Sequence, residues 1–180
     1  MTSKKATSAD NQQERLKFIG WLVGFTDGEG CFSVSIFRNK TSKFGWQVFP
    51  EFVITQGEKS LPALKKIKNY FDCGNLFINN RYDNHKENLY RYCVRSINDL
   101  KEKIIPFYQQ NQLITAKSKD FGKFCQIIDL MSRQKHGNIK GLKQIAKIIR
   151  MMNRKVCPGI LKSSETTCRN LHKKTGANKI

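Results

Sequence analysis

Acidic residues are scarce in this chain: 14 Asp and Glu stand against 33 Lys and Arg in 180 residues, a formal net charge of +19. A folded chain this basic is expected to hold a polyanion, either nucleic acid or an anionic surface. Long hydrophobic runs are missing too. The longest, Phe18 to Phe25, is eight residues and runs into Asp27 and Glu29. A membrane span needs ~20, so no membrane partner is expected. Paired cysteines are also absent. No two of Cys31, Cys73, Cys93, Cys125, Cys157 and Cys168 stand closer than 11 residues, and there are only three His. That excludes a zinc ribbon or a dithiol redox centre. The thiols read as reduced, several of them buried, in an intracellular protein. General disorder is excluded by composition, since 39% of residues are hydrophobic and twelve are Phe.

The length suits one compact domain. Residues 1–11 read as a flexible polar arm, 12–153 as the folded domain and 154–180 as a basic tail. Periodicity predicts a helix over 12–26, closed by Asp27-Gly28-Glu29-Gly30. Strands at 31–38 and 46–55 flank a basic loop, and a helix follows over 59–71. The pattern then repeats: strands at 74–81 and 89–95, a helix over 97–107 stopped near Pro106, and helices over 119–134 and 139–153. Two hairpins with intervening helices predict an α+β fold, a four-stranded antiparallel sheet with helices on one face.

Alternation assigns Phe32, Val34, Ile36, Leu76, Ile78, Tyr92 and Val94 to the core. The other face carries Ser33, Ser35, Phe37, Gln47, Asn79, Arg81, Arg91 and Arg95, with Glu51 as its acid. Hydrogen-bonding side chains on a β-ribbon can read base edges in a major groove, Arg to guanine and Asn or Gln to adenine. An ordinary solvated face fits the same pattern. Arg38 at the strand end and Asn39, Lys40 and Lys43 in the loop add to it. From Leu130 onward there are 13 Lys and Arg and one acid, Glu165; Lys140, Lys143, Lys147 and Arg150 form a stripe along one helix. With so few acids nearby, phosphate contact is the favoured role of that stripe.

Against this background the turn Asp27-Gly28-Glu29-Gly30 is anomalous. It places two carboxylates at the negative end of an apolar helix, where the dipole disfavours them. A divalent cation such as Mg²⁺ would resolve the conflict, because it takes carboxylate, carbonyl, water and phosphate oxygens. A solvated Asp-Gly turn is the alternative. Gly20 and Gly24 lie four apart on that helix and cost ~1 kcal/mol each relative to Ala. They should be offset by close packing, and a second copy of the same helix would bring two acidic turns to one axis.

Trp21-Leu-Val-Gly-Phe-Thr-Asp-Gly-Glu-Gly30 resembles the signature of the LAGLIDADG homing endonucleases. Phe52-Val-Ile-Thr-Gln56, Tyr90-Arg-Tyr-Cys-Val-Arg-Ser-Ile97, Ile105-Pro-Phe107 and Leu113-Ile-Thr-Ala-Lys-Ser-Lys-Asp-Phe121 extend the resemblance over roughly 14–152. The resemblance implies an αββαββα fold whose saddle-shaped sheet lies in the DNA major groove, and cleavage of long, nearly palindromic sites. It implies Glu29 and the Gly28 carbonyl as ligands of Mg²⁺ or Mn²⁺, Gln56 as the residue orienting solvent, and Lys117 as the charge-stabilising lysine. It assigns Asp27 a structural role at the helix end and interface. One signature per chain implies a homodimer on double-stranded DNA. Family members occur in organelle introns (chloroplast or mitochondrion) and in prokaryotes, so the compartment stays open. Two alternatives on the same fold remain: an intron maturase that binds intron RNA, and a DNA-binding regulator that does not cut.

Overall fold

The computed structural model describes residues 8–79, 88–152 and 160. Helix α1, Ser8–Glu29, leads straight into strand β1, Gly30–Arg38. Strand β2, Trp46–Gly57, returns; a 3₁₀ turn at Glu58–Ser60 opens helix α2, Leu61–Phe71, which has Pro62 in its first turn. Proline is favoured there because its missing N–H would have no helical partner anyway. Strands β3, Asn75–Asn79, and β4, Leu89–Val94, form the second hairpin. Three helical segments follow as α3 (Ile97–Asp99), a wide turn at Leu100–Ile104 and α4 (Ile105–Gln110). Helices α5, Lys117–Ser132, and α6, Ile139–Arg150, end the described run. The strands form one antiparallel sheet in the order β1-β2-β4-β3, so the α+β expectation holds.

Three local expectations change. Helix α1 continues through the acidic turn to Glu29 and begins at Ser8, inside the stretch read as an arm. The helical run passes Pro106 instead of stopping there. Proline's ring clashes with the carbonyl four residues back in an ordinary helix. Here the Ile105 N–H donates to the Leu100 carbonyl, five residues back, and the widened turn takes up the misfit. Ile78, assigned to the core by alternation, is 58% exposed. It sits on β3, an edge strand whose one neighbour among the described residues is β4.

The chain divides into two compact units, residues 1–33 with 51–121, and residues 34–50 with 122–180. The first is built on stacked aromatics. Phe32 lies 4.9 Å from both Phe52 and Phe121, and Tyr108 stands edge-on to Phe32 at 5.5 Å. Such pairs add ~0.5–1.5 kcal/mol each beyond their buried area. Helix α2 packs on β3 and β4, burying Leu64, Ile67 and Phe71. In the second unit, Phe124, Ile127, Ile128 and Met131 are buried on α5, and Leu142, Ile145, Ala146 and Ile148 on α6. Asn138 caps α6 by accepting the Gly141 N–H at 2.8 Å. Lys140, Lys143, Lys147 and Arg150 are all exposed, so the basic stripe lies opposite the apolar face.

The thiols of Cys31, Cys73, Cys93 and Cys125 are free. Burial, with the Glu51 carboxylate nearby, pushes the Cys93 thiol up, so it stays protonated and inert. Arg81, Cys157, Cys168, the arm's first seven residues and most of the tail, for which the sequence raises expectations, lie outside the described residues.

Candidate active site and nucleic-acid interface

The end of α1 and the start of β1 form a corner with no connecting loop. A Cβ at Gly30 would stand 2.6 Å from Thr26 Cγ2 and 2.8 Å from the Thr26 carbonyl oxygen. Glycine is therefore what lets the strand leave the helix within one residue. Thr26 is itself fully buried, and its Oγ1 lies 2.6 Å from the Tyr108 hydroxyl. Burial raises the Tyr108 phenol well above its ordinary range, so it remains a neutral partner.

Asp27 ties this corner to the segment that opens α5. Its carboxylate accepts the Ile114 N–H at 2.8 Å, the Thr115 N–H at 3.0 Å and the Thr115 hydroxyl at 2.6 Å. Partial burial pushes this carboxyl up, but those hydrogen bonds and the Lys117 ammonium outweigh it and hold Asp27 below the ordinary carboxylate range. The implied structural role of Asp27 is consistent with these bonds.

With α5 so positioned, Lys117 Nζ donates to the Thr26 carbonyl at 2.7 Å and to the Gly28 carbonyl at 3.3 Å. Burial lowers the basicity of Lys117, opposed by the charge of Asp27, Cys31 and Glu29. The helix end thus draws a cation to its unpaired carbonyls. Glu29 is exposed one residue on and forms no hydrogen bond with any described residue. Two hard oxygen donors, the Glu29 carboxylate and the Gly28 carbonyl, suit a magnesium ion that keeps several waters and takes substrate phosphate. No cluster of three His, Cys, Asp or Glu exists among the described residues, so an all-protein cage is not what this corner offers. Gln56 is half-buried on β2 opposite Tyr90, its side chain unbonded among the described residues. The structure joins Gly28, Asp27 and Lys117 by hydrogen bonds and leaves Gln56 outside that network.

The sequence marks Gly30 as a turn glycine, and the Thr26 contact shows why glycine is needed there. Thr26 and Thr115, which brace the corner, are not singled out by the sequence pattern.

On the sheet, Ser35 and Phe37 are exposed, Ser33 is half-buried, and Asn79 at the end of β3 is exposed. Arg38 at the end of β1 and Lys40 and Lys43 in the loop are exposed, and the Arg38 guanidinium lies 4.6 Å from the Trp46 ring centroid. Glu51 is buried and holds two arginines: Arg91 Nη2 donates to Oε1 at 2.9 Å and Arg95 Nε to Oε2 at 2.6 Å. The Arg95 guanidinium also lies 4.9 Å from the Phe77 centroid. A carboxylate on this face therefore serves to aim guanidinium groups. Both arginine side chains are about a third exposed, at 34% and 39%, so solvent screens part of the attraction. Glu51→Gln is expected to cost ~1–3 kcal/mol, read as a lowered urea midpoint with unchanged slope. A midpoint equal to wild type would show the arginines hold their places without the charge.

The LAGLIDADG endonuclease family model matches residues 22–128. A probable intron-encoded endonuclease 2 of Neurospora crassa is 38% identical over 69% of this chain. The chain spans 27% of that relative's length. Among solved structures, the homing endonuclease I-TnaI superposes with a TM-score of 0.70 at 35% identity, covering 81% of this chain and 94% of that one. I-LtrWI, a LAGLIDADG homing endonuclease solved on target DNA, gives a TM-score of 0.69 at 31% identity, covering 85% of this chain and 47% of that one. No helix among the described residues is long and apolar enough to cross a membrane. The chain belongs to the LAGLIDADG endonuclease family.

Proposed function

We propose that this chain is half of a site-specific DNA endonuclease, two copies of which cut both strands of a long, nearly palindromic duplex. The observation that carries this reading is the corner itself. An exposed Glu29 carboxylate and the Gly28 carbonyl stand at one helix end, with the Lys117 ammonium already on that carbonyl. Held by Glu29 and Gly28, Mg²⁺ or Mn²⁺ would supply Lewis-acid stabilisation of phosphate charge and a more acidic water. Lys117 contributes a second positive charge at the same corner, and Gln56 would orient solvent through its free amide. Asp27 holds Lys117 there by fixing the start of α5, and takes no part in the chemistry.

Two arginines aimed by Glu51, the exposed Ser35 and Asn79, and the basic loop face base edges and phosphates in this reading. Lys140 and Lys143 contact the backbone. Retention on DNA should then fall steeply with salt. The homodimer is supported by the glycines of α1. A Cβ at Gly20, Gly24 or Gly28 would meet nothing within 4 Å among the described residues, so no contact there requires them. Their cost in helix stability is explained if a second α1 packs against that open face. Homologues named as intron-encoded suggest residence wherever the host intron is carried.

The test is incubation of the full chain with a randomised duplex library, with and without Mg²⁺, followed by sequencing of cut ends. Staggered double-strand cuts within one pseudo-palindromic sequence, only with metal, are expected. Bound but uncut duplex under all metal conditions would leave a DNA-binding regulator, and the endonuclease reading would fall.

A further inference from the structure

Asn39 and Gln47 face each other across the mouth of the β1–β2 loop, and their amides are not equivalent partners. The loop is closed by backbone bonds from Asn39 N–H to the Gly45 carbonyl at 3.0 Å and from Ser42 N–H to the Asn39 carbonyl at 3.1 Å. Within it, Asn39 Oδ1 accepts the Thr41 backbone N–H at 3.0 Å and the Thr41 hydroxyl at 2.7 Å. A backbone N–H can only donate, so it settles which end of the Asn39 amide is oxygen. The other end is then Nδ2, and it donates to Gln47 Oε1 at 2.6 Å. Orientation thus passes from one peptide N–H through two side chains. Gln47 is left with Nε2 as its outer group, and that nitrogen has no other bond among the described residues. Gln47 is two residues from Phe49, whose ring pairs with the exposed Phe37 at 6.2 Å, so strand alternation puts it on the same face as both.

Resting on the DNA-binding reading above, we propose that Asn39 is a polarity lock: it positions Gln47 as a pure hydrogen-bond donor that selects guanine. A freely rotating glutamine reads adenine, with its oxygen on N6 and its nitrogen on N7. With Oε1 turned into the hairpin, that bidentate pairing is lost. Two N–H donors instead match the adjacent O6 and N7 acceptors of guanine, while cytosine offers only an amino donor and is rejected. Asn39 itself does not touch a base; it is a positioning residue.

The lock is reversible by one substitution. In Asn39→Asp, one carboxylate oxygen still accepts from Thr41. The other is now an acceptor, so Gln47 must turn its Nε2 inward and show Oε1 to the groove. The experiment selects duplexes from a randomised library in EDTA with wild type, Gln47→Ala, Asn39→Asp and Asn39→Ala, each as the full chain. Gln47→Ala identifies the base pair, as the position where guanine preference disappears. At that position Asn39→Asp should shift preference from guanine, by about tenfold or more, to the bases that present an amino donor, cytosine and adenine. Asn39→Ala should admit adenine beside guanine. Preference is read as a ratio within each variant, so a uniform loss of affinity from the added charge cancels. Guanine retained at full strength in both Asn39 variants overturns the lock, as does a wild type that already selects adenine there. If Asn39→Asp fails to fold, Asn39→Ala decides alone. A wild type that enriches no sequence overturns the DNA-binding reading itself, and the lock with it.

Discussion

Glu29→Gln is expected to lose Mg²⁺-dependent cleavage of both strands by about 10³-fold or more while still holding its duplex. On the endonuclease reading the loss follows from removing the charged residue that would hold the metal, and a metal's contribution to a phosphoryl transition state is several kcal/mol at 1.36 kcal/mol per decade. The substitution keeps the shape of the side chain. Glu29 is exposed and bonded to no described residue, so folding should change by no more than ~0.5 kcal/mol. Affinity should hold or rise, because a negative charge facing phosphate has been removed. Single-turnover cleavage beside a gel-shift titration measures both. A variant that cuts at the wild-type rate would take Glu29 out of the chemistry.

Gly30→Ala should damage stability and cleavage together. Its new methyl would lie 2.6 Å from Thr26 Cγ2 and 2.8 Å from the Thr26 carbonyl, with the Thr26 Cα at 3.2 Å. Two of those atoms are backbone, so relief by a side-chain rotation is closed off. Overpacking of this kind costs ~1–3 kcal/mol, and the fully buried setting of Thr26 favours the upper end. Because the Thr26 carbonyl also holds Lys117, displacing Thr26 moves the Lys117 ammonium, the charge assigned to the cleavage step in the proposed function. Urea unfolding and cleavage rate should both fall. Thr26→Ser removes Cγ2 but keeps the hydroxyl for Tyr108, so it should recover part of the loss in a double-mutant cycle. Additive effects in that cycle would locate the strain elsewhere.

Most of the architecture was readable as period. Strands β1, β2 and β4 announce themselves by alternating Phe, Val and Ile with polar residues, and α6 by its lysine stripe over buried Leu142 and Ile145. The misses share a cause, which is pairing between distant residues. Alternation put Glu51 on the outer face correctly, but its burial depends on Arg91 and Arg95, forty and more residues away. Asp27-Gly28-Glu29 looked like a turn because its residues favour turns locally; bonds from Thr115, 88 residues on, keep the helix going instead. The acids of the corner were visible from composition alone. The threonines that brace it were not, since a threonine carries no signal of what it will touch.

Those long separations also bear on timing. Asp27 and Thr26 are made some ninety residues before their partners Thr115 and Lys117. At ~5–20 residues per second, a ribosome needs on the order of ten seconds to supply them. A nascent chain therefore carries its acidic helix end unbraced, with no lysine beside it, until α5 emerges. On the endonuclease reading, a chain truncated before Lys117 would contain the signature in full and yet lack the corner.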